Sequence, residues 1–220
     1  MTTEMIALKT QHLLAGAFIA GVVLAYMFTR VRRYAFQNDG EARVTKRLLA
    51  SFRFPDYHLL NHITLKHGDG STQIDHILLS RFGVFVIETK AHKGWLFASV
   101  DQRSWTQVLF GEKFKLRNPI KQNQLHVRVV RELLDFLPAD VIRSAVVFAG
   151  TSEFKTKQPD GVFDIDQLID HIRSFREEVI SLNRMQFCVG RIETSRYAIT
   201  KETDIDHVDS LRSRYGITDR

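Results

Sequence analysis

The first long feature of the chain is an uninterrupted apolar run, LLAGAFIAGVVLAYMF over 13–28, without a charged residue. With His12 and Thr29 at its edges it is about 18 residues long, the short end of what crosses a bilayer core. Downstream the pattern breaks into short periodic stretches. Residues 40–53 (GEARVTKRLLASFR) place Val44, Leu48 and Leu49 at helical spacing between arginines and a lysine, which predicts a helix. Residues 58–65 alternate loosely as a strand, HGDGS at 67–71 is turn chemistry, and 73–80 reads as the returning strand of a hairpin. VFVIET at 84–89 is rich in β-branched and aromatic residues and reads as a central strand. Two further strands are expected at 94–100 and 104–109. Asn118-Pro119 then marks a helix start, Asn118 as the cap and Pro119 at the first helical position. Ile120, Val127, Val130 and Leu134 give that helix one apolar face. VIRSAVVFA at 141–149 reads as a buried strand and 150–161 as polar loop. Helices are expected at 164–180 and 204–214, flanking a strand or loop at 187–199. The order predicts a mixed α/β body compatible with a single domain.

Charge changes the picture at the head of the chain. Lys9 precedes the apolar run, whereas Arg30, Arg32 and Arg33 follow it at once. That bias predicts a single-pass anchor at 12–29 in the cell membrane, with 1–11 outside and everything after Arg30 cytoplasmic. A secretory signal would carry its charge before the run and end at a small-x-small site, and this run ends Tyr26-Met27-Phe28. Residues 30–39 then form a basic juxtamembrane linker. The net charge of +6 has two outlets. Part orients the anchor and meets anionic lipid, and the rest suits a polyanionic partner such as nucleic acid. The single cysteine, Cys188, excludes an internal disulfide framework and a Cys-cluster zinc site, and it reads as a small buried residue.

The chemistry falls in the middle of the chain. Glu88 and Lys90 are two residues apart on the central strand, so they share a face that Val84 and Val86 continue inward. A carboxylate and an ammonium at the open end of an apolar strand are costly unless they work or pair. Asp75, on the neighbouring strand, adds a second carboxylate suited to holding a hard divalent cation through oxygen. A lysine beside such a cation steadies an attacking water or the charge building on a phosphate oxygen. A structural salt bridge is the plain alternative for Glu88 and Lys90. Gln122 and His126 lie one helical turn apart, away from Ile120, Val127 and Val130. His76 points to the strand face opposite Asp75, and neither it nor His92 shows a zinc spacing, so both read as structural or peripheral. Trp105, Phe97 and Phe114 read as core, with stacking on a nucleobase as the other use of such a ring.

These residues resemble the PD-(D/E)XK nuclease superfamily and, more narrowly, its nuclease-related domain family, known as NERD. The matching pieces are Gly40-Glu41, QIDHI at 73–77, GVFVIETK at 83–90, Gly94, Trp105 and NPIKQ at 118–122, a motif core of 40–134 within an expected domain of 40–220. No proline precedes Asp75; Ile74 stands there. The resemblance implies a restriction-endonuclease-like mixed sheet flanked by helices. It implies a Mg²⁺-dependent hydrolysis of nucleic acid, DNA before RNA, with Mn²⁺ able to substitute. Asp75 and Glu88 would hold the metal, Glu41 would complete its shell, Lys90 would be the catalytic lysine, and Gln122 would touch substrate phosphate or water. Arg43, Lys46, Arg47, His92 and Lys93 would meet backbone phosphates. A non-catalytic binding module of the same fold is the alternative. A homodimer stays open as the assembly, since many cutters of duplexes act in pairs.

Overall fold

The computed structural model describes residues 38–200 and 202–208. The apolar run at 13–28, the arginines at 30–33 and the end of the helix expected at 204–214 lie outside the described residues. Among the described residues no helix is long and apolar enough to cross a membrane.

The chain opens with helix α1 (Asp39–Ser51), started by Asn38, whose side chain accepts from the backbone N–H groups of Gly40 and Glu41. Strands β1 (Tyr57–His67), β2 (Gly70–Ser80) and β3 (Gly83–Lys90) follow as an antiparallel meander. Next come β4 (Gly94–Phe97), β5 (Ser104–Leu109) and β6 (Glu112–Arg117), then helix α2 (Pro119–Leu133) and strand β7 (Ile142–Phe148). Short strands β8 (Ser152–Phe154) and β9 (Val162–Phe163) lead to helices α3 (Ile165–Ser174) and α4 (Leu182–Ser195). Residues 202–208 are helical.

Two sheets result. The larger has the order β1-β2-β3-β7-β9, with β7 parallel to β3, and the smaller runs β6-β5-β4-β8. The body is a mixed α/β fold with helices on both faces of the larger sheet. Val84 and Val86 of β3 meet Val127 and Val130 of α2, Leu134 just beyond it, and Met185, Cys188 and Ile192 of α4. On the other face Phe85 and Ile87 meet Val44 and Leu48 of α1 and Leu168, Ile169 and Ile172 of α3. Strand β3 is therefore buried on both sides, which explains its nearly continuous apolar sequence.

Several expectations are corrected. Residues 187–199 are mostly helix, because Met185, Cys188 and Ile192 form a buried stripe at helical spacing and Ser181 caps it. The helix expected at 164–180 ends at Ser174, and Ile180 enters the core from the segment beyond. Strand β4 stops at Phe97 rather than 100, and the loop at 150–161 contains β8. Strand β6 (EKFKLR) carries no β-branched residue, so only its pairing with β5 makes it a strand. Ile120 leaves the Val127–Val130 face and packs in a separate cluster around Trp105 and Phe148. Trp105 is core, but Phe97 and Phe114 are exposed, Phe97 on the side of β4 opposite the buried Leu96 and Phe114 on the edge strand β6.

A buried carboxylate–lysine centre at the end of the central strand

The ladder between β2 and β3 ends at the His76–Ile87 pair. Just beyond it Asp75 Oδ2 accepts the backbone N–H of Thr89 at 2.7 Å, replacing a ladder bond with a side-chain one. Asp75 is thereby held beside Glu88. Glu88 is 2 % exposed, and its Oε1 accepts from Lys90 Nζ at 2.6 Å. Lys90 Nζ also donates to Gln122 Oε1 at 3.1 Å, so the first turn of α2 reaches the strand end. His126, one turn on, brings Nδ1 to 3.3 Å from Glu88 Oε2. The pair is an ionic contact, and both atoms are buried without a hydrogen-bond partner.

Three further contacts fix the elements that carry these groups. The Asn118 side chain accepts from Ile120 N–H at 2.9 Å and donates to the carbonyls of Ser99, Val100 and Gln102, tying the start of α2 to the smaller sheet. The buried Asn123 amide donates to Val86 O, Ser144 Oγ and Ala145 O, clamping α2 across β3 and β7. Gly40 lets the start of α1 close on the end of β3, since a Cβ there would come within 2.7 Å of the Ala91 Cβ. This close approach places Glu41, which takes a hydrogen bond from the Asn38 side-chain amide, near the other carboxylates.

The electrostatics follow from crowding acids in a dry place. Burial pushes the Asp75 carboxyl well up, and the neighbouring Glu88 and Glu41 push it further, against the Thr89 N–H and Lys90. Burial likewise raises Glu41 to about 7, although its bond with Asn38 opposes this. Burial also works against the charge on Glu88, but His126 and Lys90 outweigh it and hold that carboxyl below its usual value. Glu88 is thus the ionised member of a trio whose other two resist ionisation together. His76 is structural here. It bonds Asn61 Oδ1 at 2.9 Å and Thr89 Oγ1 at 3.0 Å, and burial lowers its pKa to about 3, leaving it neutral.

Of the residues expected to gather, Asp75, Glu88, Lys90, Gln122 and Glu41 do so. Half-buried His92 follows on the segment after β3, its pKa lowered by burial and by Lys90, and Lys93 beside it is exposed. Arg43 and Lys46 are exposed on α1. Arg47 pairs with Asp166 of α3, both side chains being exposed. His126 and Asn123 are the additions. The one-turn spacing from Gln122 signalled His126, whereas nothing in the sequence singled out Asn123.

Among the described residues no three His, Cys, Asp or Glu side chains stand at ready-made metal-ligand spacing. The chemistry of the donors nevertheless suits a hard divalent cation. All three acids offer oxygen, they repel one another, and the buried Glu88 Oε2 lacks a hydrogen-bond partner.

An Asp, a buried Glu and a half-buried Lys thus meet at one strand end of a mixed α/β fold. The nuclease-related domain family matches residues 37–149, and the chain belongs to it. An uncharacterised protein of Bacillus anthracis is 34 % identical over 117 residues, which cover 51 % of this chain and 55 % of that protein. The chain therefore spans about half the length of this curated relative. No solved structure matches.

Proposed function

We propose that this protein is a membrane-tethered, metal-dependent nuclease of restriction-endonuclease-like type that hydrolyses phosphodiester bonds of nucleic acid. The observation that carries the proposal is the Glu88–Lys90 pair: a buried carboxylate whose second oxygen has no hydrogen-bond partner, beside a lysine on the same strand face. Membership of the nuclease-related family supports it. The tether is the apolar run with its trailing arginines, which argues for a cytoplasmic domain.

In this reading Asp75, Glu88 and Glu41 would hold Mg²⁺, or Mn²⁺ in its place. Such an ion polarises the scissile phosphate and lowers the pKa of bound water when present. The residues do the rest. Gln122 holds the Lys90 ammonium at the mouth of the centre, where it orients water and stabilises charge developing on phosphate oxygen. His126 braces Glu88 from behind, and Arg43, Lys46 and Lys93 meet backbone phosphates without reading sequence.

The test is incubation of the full chain, in non-ionic detergent, with circular single-stranded DNA, circular duplex DNA and RNA in Mg²⁺ or Mn²⁺. Cutting of a circle that Lys90→Ala lacks is the expected result and names the polymer. A folded protein that binds nucleic acid yet cuts none of the three would overturn the reading in favour of a binding module.

A further inference from the structure

The smaller sheet has one face packed on the body and one face that is exposed among the described residues. Trp105 and Gln107 of β5 and Leu96 of β4 point inward and are buried. Alternation sends Trp95 and Phe97 the other way, and they are 50 % and 40 % exposed. The register extends that outer face. Trp95 pairs with Val108 and Phe97 with Thr106, and these in turn oppose Lys113 and Lys115 of β6, with Arg117 next along. Lys115 Nζ reaches Thr106 Oγ1 at 3.5 Å, as shared facing requires. On the far side Trp95 pairs with Glu153, and Lys155 places its ammonium 4.8 Å from the Trp95 ring centre. Three cations and the Lys155–Glu153 ion pair thus surround two exposed aromatic rings.

The hairpin tip repeats the theme. Phe110 adopts φ +52, a left-handed conformation unfavourable for a bulky residue, and its ring is 98 % exposed. By register the tip lies at the start of β4, the end that leads back through Lys93 and His92 to Lys90. Gln107 bonds Lys93 O at 2.7 Å, fixing that connection.

We infer that this face binds single-stranded nucleic acid and feeds it to the Glu88–Lys90 centre. Exposed rings on a sheet face offer stacking surfaces that only unpaired bases can use, and the flanking cations match a polyanionic backbone. A duplex keeps its bases stacked on each other, so it would engage the cations alone. The inference rests on the nuclease reading for the direction of delivery, while strand binding itself stands apart from cleavage.

The test uses the full chain in non-ionic detergent with EDTA, so that nothing is cut. Fluorescence anisotropy compares labelled oligothymidine, oligouridine and a DNA duplex. The double variant Trp95→Ala/Phe97→Ala is expected to weaken single-strand binding about tenfold or more and duplex binding less than about twofold. Lys113→Ala/Lys115→Ala is expected to weaken both and to flatten the salt dependence. Because Trp105 is buried, quenching of the wild-type tryptophan emission by oligothymidine reports on Trp95. Phe110→Ser, at a fully exposed tip, serves should the double variant fail to fold, and a several-fold loss confined to single strands is expected. Equal losses for duplex and single strand, or no loss in either aromatic variant, would overturn the inference. Selective strand binding without metal-dependent cutting would leave it standing and remove the nuclease reading instead. Oligothymidine against oligouridine distinguishes DNA from RNA as the bound strand.

Discussion

Glu41 and Lys90 show how far single side chains are shaped by the end of one strand. Glu41 has its pKa raised from an ordinary 4.5 to about 7, chiefly by burial. The unfolded chain therefore ionises this group first as pH rises. The native state loses stability relative to it between about 4.5 and 7, and the penalty is constant above. Glu41→Gln cannot ionise, so the melting temperature of the variant minus that of the wild type should climb across this window and then level off, measured without added metal. A flat difference would mean that Glu41 is not enclosed with the other acids. For Lys90, loss of its ammonium leaves Glu88 buried with one partner fewer. Lys90→Ala is expected to lose less stability in urea unfolding than the roughly 3–5 kcal/mol of a fully buried broken pair, because Lys90 is one-fifth exposed. The Asp75, Glu88 and Lys90 trio was legible in the sequence because strand periodicity alone puts two of them on one face. His126 was half legible, from its spacing to Gln122. Asn123 was not, because a buried amide that clamps three groups looks like any polar residue on a helix.

At the scale of elements, α1, β3 and α2 meet at a point set by small local devices. Asn123 makes three hydrogen bonds across two strands, two of them buried. Asn123→Ala should cost about 2–4 kcal/mol, since two carbonyls and a hydroxyl are left without that donor. Urea unfolding followed by circular dichroism measures it, and a change under about 1 kcal/mol would show that α2 is held mainly by Val127 and Val130. Gly40 acts at the other helix. Gly40→Ala forces its new methyl against Ala91, displacing Glu41, so cleavage should fall several-fold and recover in Gly40→Ala/Ala91→Gly. Most elements were legible where a cap or a period announced them, as Asn118-Pro119 announced α2. Strand β6 and helix α4 were not. One is a strand only through its partner β5, and the other hides its stripe among phenylalanine, valine and glycine that mimic a strand.

In the whole molecule the family match ends at residue 149, but the core does not. Met185, Cys188 and Ile192 of α4 complete the face under Val84 and Val86, and α3 completes the other. A chain cut after 149 should therefore fail to give a cooperative thermal transition, whereas one ending after 208 should keep it. The tail thus belongs to the scaffold that holds the centre, a role that periodicity hinted at only for α3. The central claim concerns what that centre does. It is tested most directly by nicking of a circular substrate at rising Mg²⁺, wild type beside Glu88→Gln. Metal-dependent nicking that EDTA abolishes and the variant loses by about 10²-fold or more is the predicted result. Nicking that persists in EDTA, or that Glu88→Gln retains in full, would contradict it.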